Sequence, residues 1–256
     1  MNPLEILAQD AVHLHHSFDS TFVFGGVTQY TLYMILCFII TLVVVLTVGR
    51  RLTLVPKSKF ANMVEYGYEF VKKDMGEGAI GHGYKKHLPF LATMFFFILI
   101  CNFVGLIPGS KAATGSISIT WALAAISFVY FNYWGIKAHG GWGYIKSIAP
   151  SGLPKVMVPV IWFFEFISLV LRVLTLAVRL YGNMFAGHMV LGIFALATSV
   201  FISAGLQGDF LFFLPPVGWM ALLIAMYALE VLVAFLQAYV FTTLSAVYIS
   251  LATSEH

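Results

Sequence analysis

The chain has 256 residues, of which 60% are hydrophobic and only 10% are charged, and it carries a formal net charge of +3. This composition is typical of an integral membrane protein and leaves no polar stretch long enough for a soluble domain. Long continuous apolar runs also exclude an outer-membrane barrel, whose strands alternate with a period of two. We therefore expect one all-α membrane domain over residues 1–256, embedded in a lipid bilayer and without a nucleic-acid partner.

Three apolar runs have the length of ordinary transmembrane helices, about 20 residues for a hydrocarbon core of about 30 Å. They cover residues 30–48, 88–107 and 117–136. Eleven of the 14 Lys and Arg residues lie in the loops after the first and third runs, whereas residues 1–29 carry none. The positive-inside rule therefore predicts that the N-terminal tail over 1–29 lies outside the cell and that the two basic loops face the cytoplasm. The tail lacks the features of a signal peptide, so we expect the first span to insert uncleaved.

The loops between these spans carry their own signals. Residues 57–75 place apolar side chains at helical spacing and charges elsewhere, which predicts an amphipathic helix on the cytoplasmic surface. The glycine-rich stretches 76–83 and 135–143 are predicted as turns next to the second and third spans. Cys37 and Cys101 lie within spans and are assigned to packing.

The N-terminal tail holds three histidines, His13, His15 and His16. Nothing nearby supplies a fourth ligand, and we expect these histidines to be solvated rather than to bind a metal. The sequence also has no phosphate-binding Gly-Lys-Ser/Thr loop. We therefore expect no metal site, no cofactor, no catalytic residue and no nucleotide chemistry.

Two further apolar runs are too long for upright spans. They cover about residues 155–204 and 216–251, which as helices would measure about 75 and about 50 Å at 1.5 Å per residue. An ordinary tilt of about 20° does not absorb this excess. We expect two long, steeply tilted helices in a hairpin, with bends or breaks near Gly182, Gly187 and Gly192 as the alternative. The predicted regions are the tail 1–29, the upright spans and amphipathic helix 30–154, and the hairpin 155–252, which ends in the cytoplasm.

A polar stripe runs along the first of these long helices. Six polar side chains recur there every three or four positions, which places them on one helix face. They are Glu165, Ser168, Arg172, Thr175, Arg179 and Asn183. An arginine in a membrane is unfavourable by about 2.5–3.5 kcal/mol on insertion scales and indicates a function by default. The stripe either faces a partner subunit or forms an internal polar network with the second long helix.

The second long helix has a polar set of its own, Tyr227, Glu230 and Gln237, at spacings of three and seven on one face. Glu230 is the only charge between residues 216 and 251, so we expect it to be protonated, hydrated or paired. His188 on the preceding helix is the expected partner, and such a pair would titrate near neutral pH. The alternative interpretation is a buried pair that only fixes helix packing.

The two arginines suit an electrostatic role, because arginine stays protonated at physiological pH and cannot pass on a proton. A fixed cation repels other cations and attracts a mobile carboxylate, while Glu165, His188 and Glu230 can exchange protons with water. This arrangement predicts a barrier between two aqueous half-channels. Arg179 is the better barrier candidate, since Arg172 is close enough to Glu165 for an ion pair.

Residues 179–188, Arg-Leu-Tyr-Gly-Asn-Met-Phe-Ala-Gly-His, resemble the signature of subunit a of the F-type ATP synthase. The resemblance covers most of the chain and includes residues 102–108 at the end of the second span, Gln237 on the last helix and the C-terminal residues 250–256. It implies a proton-translocating stator subunit beside a ring of c subunits, with peripheral-stalk b subunits and the remaining ATP synthase subunits as further partners. Protons, which we favour over Na⁺ as the coupling ion, would enter by one half-channel, ride on the ring carboxylates and leave by the other.

The resemblance also implies roles for individual residues. Arg179 matches the essential arginine that releases protons from the ring carboxylate and prevents a short circuit. The other matching positions line the access paths and are Glu165, Asn183, His188, Glu230 and Gln237. The secondary candidates are Arg172, Thr175, Ser168 and Tyr227. A common bacterial pattern has an acid at position 188 and a histidine at position 230, and here the two residue types are exchanged. The exchanged form resembles the mitochondrial and alphaproteobacterial branch. Because the exchange keeps one acid and one imidazole, it indicates that the two residues are spatial partners.

Two other classes of protein remain as alternatives. An autonomous secondary transporter or ion channel would commonly show internal repeats around a midplane site, and the two halves of this sequence show no convincing repeat. An intramembrane enzyme would need a paired nucleophile and base or a metal triad, and the sequence offers no such set. Selective solute flux through the purified chain alone would favour the transporter, and hydrolysis by the isolated chain would favour the enzyme.

Overall fold

The structure is a computed structural model that describes residues 22–24, 27–50, 59–107, 109–147, 157–206 and 214–253. Its elements, numbered in chain order, are the strands β1 (Phe22–Phe24) and β2 (Val27–Thr28) and the helices α1 (Gln29–Arg50), α2 (Lys59–Phe70), α3 (Leu88–Gly105), α4 (Ile117–His139), α5 (Gly141–Ser147), α6 (Val158–Leu206) and α7 (Leu214–Thr253). Short helical turns at Tyr84–Lys86 and Ala113–Gly115 flank α3. The three tail histidines, the predicted start of the amphipathic helix, most of the hairpin loop and residues 254–256 lie outside the described residues.

The predicted all-α membrane fold is confirmed. Five helices of the described part, α1, α3, α4, α6 and α7, are long and apolar enough to cross a membrane. Each forms over one of the predicted apolar runs, because in lipid a backbone can satisfy its own hydrogen bonds within a helix. In the same described ranges, the extended structure is limited to the antiparallel pair β1–β2, in which Phe22 lies opposite Thr28.

The predicted amphipathic helix begins as α2 and continues directly as a π-helix over Val71–Ile80. Its apolar face is buried at Val64 and Met75. The turn predicted from residue 76 is therefore wrong at its start, because burial of Met75 in the core keeps this segment helical and the chain turns only at Gly81, where φ is +73°. The second predicted turn, over residues 135–143, is also too long, because α4 stays helical to His139 and the chain turns only at Gly140, where φ is +76°, before α5 begins.

The core lies where α3 packs against α7 and where α4 packs against both α6 and α7. Its largest fully or nearly fully buried side chains include Leu91, Phe95, Ile98, Leu176, Leu180, Phe241 and Ile249. A polar contact also joins α4 to α7, where Ser127 Oγ donates a hydrogen bond to Ser245 Oγ at 2.8 Å. These contacts hold the two long helices against the upright spans and leave large apolar side chains exposed on the outward faces of α6 and α7.

The helices α6 and α7 have 49 and 40 residues and pack against each other as an antiparallel pair. Trp219 near the start of α7 stacks on Phe201 near the end of α6, with ring centroids 6.3 Å apart, and Glu230 lies against Gly187. The predicted hairpin pairing is present, and α6 stays helical through residues 182, 187 and 192, so the alternative of a break is wrong. At 1.5 Å per residue the helices measure about 73 and about 60 Å, against a hydrocarbon core of about 30 Å. Their steep tilt in a membrane stays a prediction.

Candidate functional site

Arg172 lies on the stripe of α6 and is held by its own chain. One of its guanidinium nitrogens lies 3.8 Å from Glu165 Oε2, which confirms the predicted ion pair. The guanidinium carbon also lies 5.4 Å from the centre of the Tyr248 ring on α7. An ion pair and a cation–π contact together fix the position of this side chain. Thr175, one turn later, donates a hydrogen bond from Oγ1 to the backbone carbonyl of Arg172 at 3.0 Å.

Arg179, two turns further along α6, has different surroundings. Its side chain is exposed, whereas Leu176, Ala177 and Leu180 on the inward side of the helix are buried in the core. Within the part of the chain that the structure describes, the guanidinium takes part in no ion pair or hydrogen bond. Val178 beside it is exposed as well. The cation therefore lies on the outward face of the hairpin, among apolar side chains.

The rest of the stripe lies at the border between the buried and exposed faces of α6. Ser168 and Glu165 are half-buried, as is Asn183. The Nδ2 atom of Asn183 is nevertheless buried, and it has no hydrogen-bond partner among the described residues. Asn183 follows Arg179 by one helical turn, so a buried amide donor and an exposed cation are neighbours on this stripe.

Glu230 on α7 is buried, with only 5% of its surface exposed. Its carboxyl lies directly against Gly187 on α6, because a Cβ atom at position 187 would come within 2.7 Å of all three carboxyl atoms. The missing side chain of the glycine thus makes the space that the carboxyl fills. A larger residue at position 187 would require one of the helices or the glutamate to shift.

His188 follows Gly187 in sequence but faces another part of the protein. It lines a cavity of about 40 Å³ together with Tyr30 on α1 and Lys111 in the loop after α3. Its Nε2 atom is buried without a hydrogen-bond partner in the described ranges, where no ion pair joins it to Glu230. The predicted pair of His188 with Glu230 is therefore wrong in this structure. Successive helix residues point about 100° apart, so position 187 faces α7 while position 188 faces α1 and the loop.

The antiparallel register orders the polar side chains along the hairpin. Glu230 meets Gly187, and a step of seven residues along each helix brings Gln237 to the level of Leu180, next to Arg179. Gln237 is buried, with 8% of its surface exposed. An amide of α7 and the cation of α6 therefore lie at one level of the hairpin.

Titratable side chains lie on both sides of this level. His188 and Glu230 are about 10–14 Å further toward the end of α6, and Glu165 is about 21 Å toward its start, at 1.5 Å per residue. In the same described ranges, no group of three His, Cys, Asp or Glu residues is arranged to hold a metal ion. Along the hairpin, Arg179 thus lies between Glu165 on one side and His188 and Glu230 on the other.

Two polar contacts tie α7 to the end of α3, a half-buried one at Tyr227 and a buried one at Asn102. The hydroxyl of Tyr227 donates to the backbone carbonyl of Leu106 at the end of α3. Asn102 on α3 donates from Nδ2 to the carbonyl of Ala234 at 3.1 Å and accepts at Oδ1 from Thr114 at 2.8 Å. No role was predicted for Asn102, although a lone amide within an apolar span is a signal of a required contact.

A family model described as ATP synthase A chain matches residues 31–250. The protein named ATP synthase subunit a from Chloroherpeton thalassium is 37% identical over 237 residues, which cover 90% of this chain and 67% of the relative. The protein of the same name from Chlorobium phaeobacteroides is 38% identical over 223 residues, or 84% of this chain and 62% of the relative. A third, from Pelagibacter ubique, is 36% identical over 231 residues, or 90% of this chain and 88% of the relative. The chain thus spans about two thirds of the length of the first two relatives.

Proposed function

The chain belongs to the ATP synthase A chain family, and from this membership we propose that it is the proton-conducting stator subunit of an F-type ATP synthase. In this role it is not catalytic itself and lies in the bacterial inner membrane, with its N-terminus periplasmic and its C-terminus cytoplasmic. Its partners are the ring of c subunits, the peripheral-stalk b subunits and the remaining subunits of the complex. The outward face of the α6–α7 hairpin is the surface that meets the ring.

The main support for this proposal is the difference in surroundings between Arg172 and Arg179. Arg172 is paired with Glu165 and lies over the ring of Tyr248, whereas Arg179 has no polar partner within the described residues and faces outward. A cation at membrane depth needs a polar or charged partner. Because the described part of this chain does not supply one, a carboxylate on the ring is the group that completes the site. Arg179 then stabilises that carboxylate as an anion and releases its proton.

The groups on either side of Arg179 give each half-channel its polar lining. His188 shares its cavity with Lys111 in the loop after α3, which the positive-inside rule places on the periplasmic side. His188 and Glu230 therefore belong to the periplasmic half-channel. Glu165 belongs to the cytoplasmic one, with Ser168 as a weaker candidate.

Asn183 and Gln237 lie between these groups at the level of the cation. Each brings an amide to the end of a half-channel, and the Nδ2 atom of Asn183 is a buried donor that can bind water or the ring carboxyl. The cavity beside His188, about 40 Å³, is large enough for a water molecule. A proton can thus pass from water through side chains to the ring carboxylate, while arginine itself holds its proton throughout.

The experiment is a comparison of Arg179→Ala with Arg172→Gln in the assembled enzyme. Arg179→Ala is expected to abolish ATP-driven proton pumping, because the barrier and the counter-ion are both lost. Arg172→Gln breaks a contact within the chain, so it is expected to lower the amount of assembled enzyme while each assembled enzyme still pumps. Pumping is measured in membrane vesicles and normalised to assembled complex. Coupled pumping by the Arg179→Ala enzyme would contradict the proposal.

A further inference from the structure

Asn102 is the one amide of α3 that bridges three parts of the described structure. It is completely buried, and it joins the end of α3 to the short turn at Thr114 and to the backbone of α7 at Ala234. The hydroxyl of Thr114 donates to the amide oxygen and thereby directs the amide nitrogen toward α7. A helix carbonyl has two lone pairs, so Ala234 can accept this bond as well as its own helical bond.

The contact lies on the face of α7 that carries the proposed proton-path residues. Ala234 follows Glu230 by four positions and precedes Gln237 by three, so all three point to one side of the helix. All three are buried. Helices in lipid are held together by van der Waals packing and by hydrogen bonds between helices, and of these the hydrogen bond is the directional one. The amide of Asn102 supplies such a bond between the two residues whose placement matters.

We propose that Asn102 is a positioning residue that sets the register and rotation of α7, so that Glu230 seats against Gly187 and Gln237 stays at the level of Arg179. The effect of Asn102 on proton transport rests on the function proposed above. The effect of Asn102 on the position of α7 is independent of that function, because it follows from the hydrogen bonds alone.

Three variants distinguish the effect of losing the hydrogen bonds of Asn102 from the effect of changing the packing around it. Asn102→Leu keeps the approximate volume and removes both hydrogen bonds. Asn102→Asp can replace the amide only when its carboxyl is protonated, since the acid then donates to Ala234 and accepts from Thr114, whereas the carboxylate cannot donate. Thr120→Val is the matched control, because Thr120 is equally buried and bonds only to its own helix, at the carbonyl of Ile117.

The position of α7 is read by disulfide cross-linking. Ser127 and Ser245 lie on α4 and α7 with their hydroxyl oxygens 2.8 Å apart, and the pair Ser127→Cys with Ser245→Cys is introduced after Cys37→Ala and Cys101→Ala. Membranes that contain the assembled enzyme with the cysteine pair are oxidised, and the rate of cross-linking is followed. ATP-driven proton pumping per assembled enzyme is measured in matched strains without the cysteine pair. Both are measured at about pH 6 and about pH 8, on either side of neutrality.

The proposal expects Asn102→Leu to cross-link more slowly than Thr120→Val and to lose about tenfold or more in pumping at both pH values, since small misplacements of a site have effects of this size. It expects Asn102→Asp to approach the parent at the lower pH and to decline at the higher pH. Equal cross-linking in Asn102→Leu and Thr120→Val overturns the proposal. Slow cross-linking with normal pumping overturns the proposed consequence for proton transport, because the register of α7 would then have no role in it.

If Asn102→Leu accumulates poorly in the membrane, a second variant is used in its place. The Asn102→Asp enzyme then decides, and cross-linking and pumping that change with pH no more than in the parent overturn the proposal. Failure of the proposed function itself would appear in the Arg179→Ala experiment. Cross-linking reports the position of α7 and requires no proton transport, so the two failures are distinguishable.

Discussion

Gly187 on α6 and Glu230 on α7 lie in close contact between the two long helices. The carboxyl occupies the volume that any larger side chain at position 187 would need. Gly182, five residues earlier on α6, has nothing within 4 Å of the place where a Cβ atom would lie. Gly187 is therefore required for close packing of the two helices and Gly182 is not, although both belong to the same sequence motif.

This difference predicts the effect of alanine at the two positions. Gly187→Ala is expected to lower the free energy of unfolding by about 1–3 kcal/mol, as in other overpacked sites. Gly182→Ala is expected to be neutral or stabilising by up to about 1 kcal/mol, because alanine is the better helix former. Thermal unfolding of the chain in detergent measures both changes. Combining Gly187→Ala with the shorter acid in Glu230→Asp should recover part of the loss, and equal effects of the two alanine variants would contradict the contact.

Residue spacing predicted some of these contacts and not others, for a physical reason. The spacing of Glu165 and Arg172 is seven residues, two turns of one helix, so their ion pair follows from the sequence alone. A pair between helices, such as His188 with Glu230, also depends on how each helix is rotated against its neighbour. That rotation is fixed by packing, and here it turns Gly187 rather than His188 toward the glutamate.

At the scale of elements, the start of α3 is held against α4 by an aromatic cluster around His87. His87 is buried, its Nδ1 lies 3.2 Å from the hydroxyl of Tyr130, and its ring meets that of Trp134 edge to face at 4.8 Å between centroids. Lys137 lies over Trp134 at 4.7 Å. Burial, with a smaller effect of Lys86, lowers the pKa of His87.

The lowered pKa of His87 predicts that the stability of this cluster depends on pH. The unfolded chain takes up a proton near the usual histidine pKa of about 6.5, above the pKa in the folded chain. The stabilisation is therefore fully present above about pH 6.5 and is lost as the pH falls through the folded-state pKa. Melting temperatures in detergent should fall between about pH 7.5 and about pH 5.5, and less steeply for His87→Gln.

The exposed His82 supplies the control for this measurement. His82→Gln removes a histidine from the turn before α3 without changing the buried cluster, so its melting temperature should show the same pH dependence as that of the parent chain. Parallel curves for His87→Gln and the parent would show that the cluster does not sense pH.

The extent of the elements was largely predictable, and their ends were less so. Apolar runs of sufficient length gave all five long helices because lipid imposes helices on such runs. The glycine-rich stretch after residue 75 was predicted as a turn from its local composition. It is helical to Ile80, because Met75 is buried in the core and long-range packing outweighs the preference of glycine for turns.

At the scale of the whole molecule, the described structure has one face that its own core does not use. The helices α6 and α7 bury one side against α3 and α4 and expose large apolar side chains on the other, with Arg179 among them. The excess length of both helices and the polar stripe together predicted that this hairpin meets another subunit. The group that would face Arg179 was not predictable from spacing or composition, because in the proposed function it lies on another subunit.

A cryo-EM map of the assembled membrane sector tests the central claim most directly. The account predicts that the Arg179 guanidinium projects from the hairpin toward the ring, with an acidic side chain of a c subunit opposite it and with His188 and Glu165 on opposite sides of that level. A map in which Arg179 bonds only to groups of its own chain, with no c subunit beside it, would contradict the account.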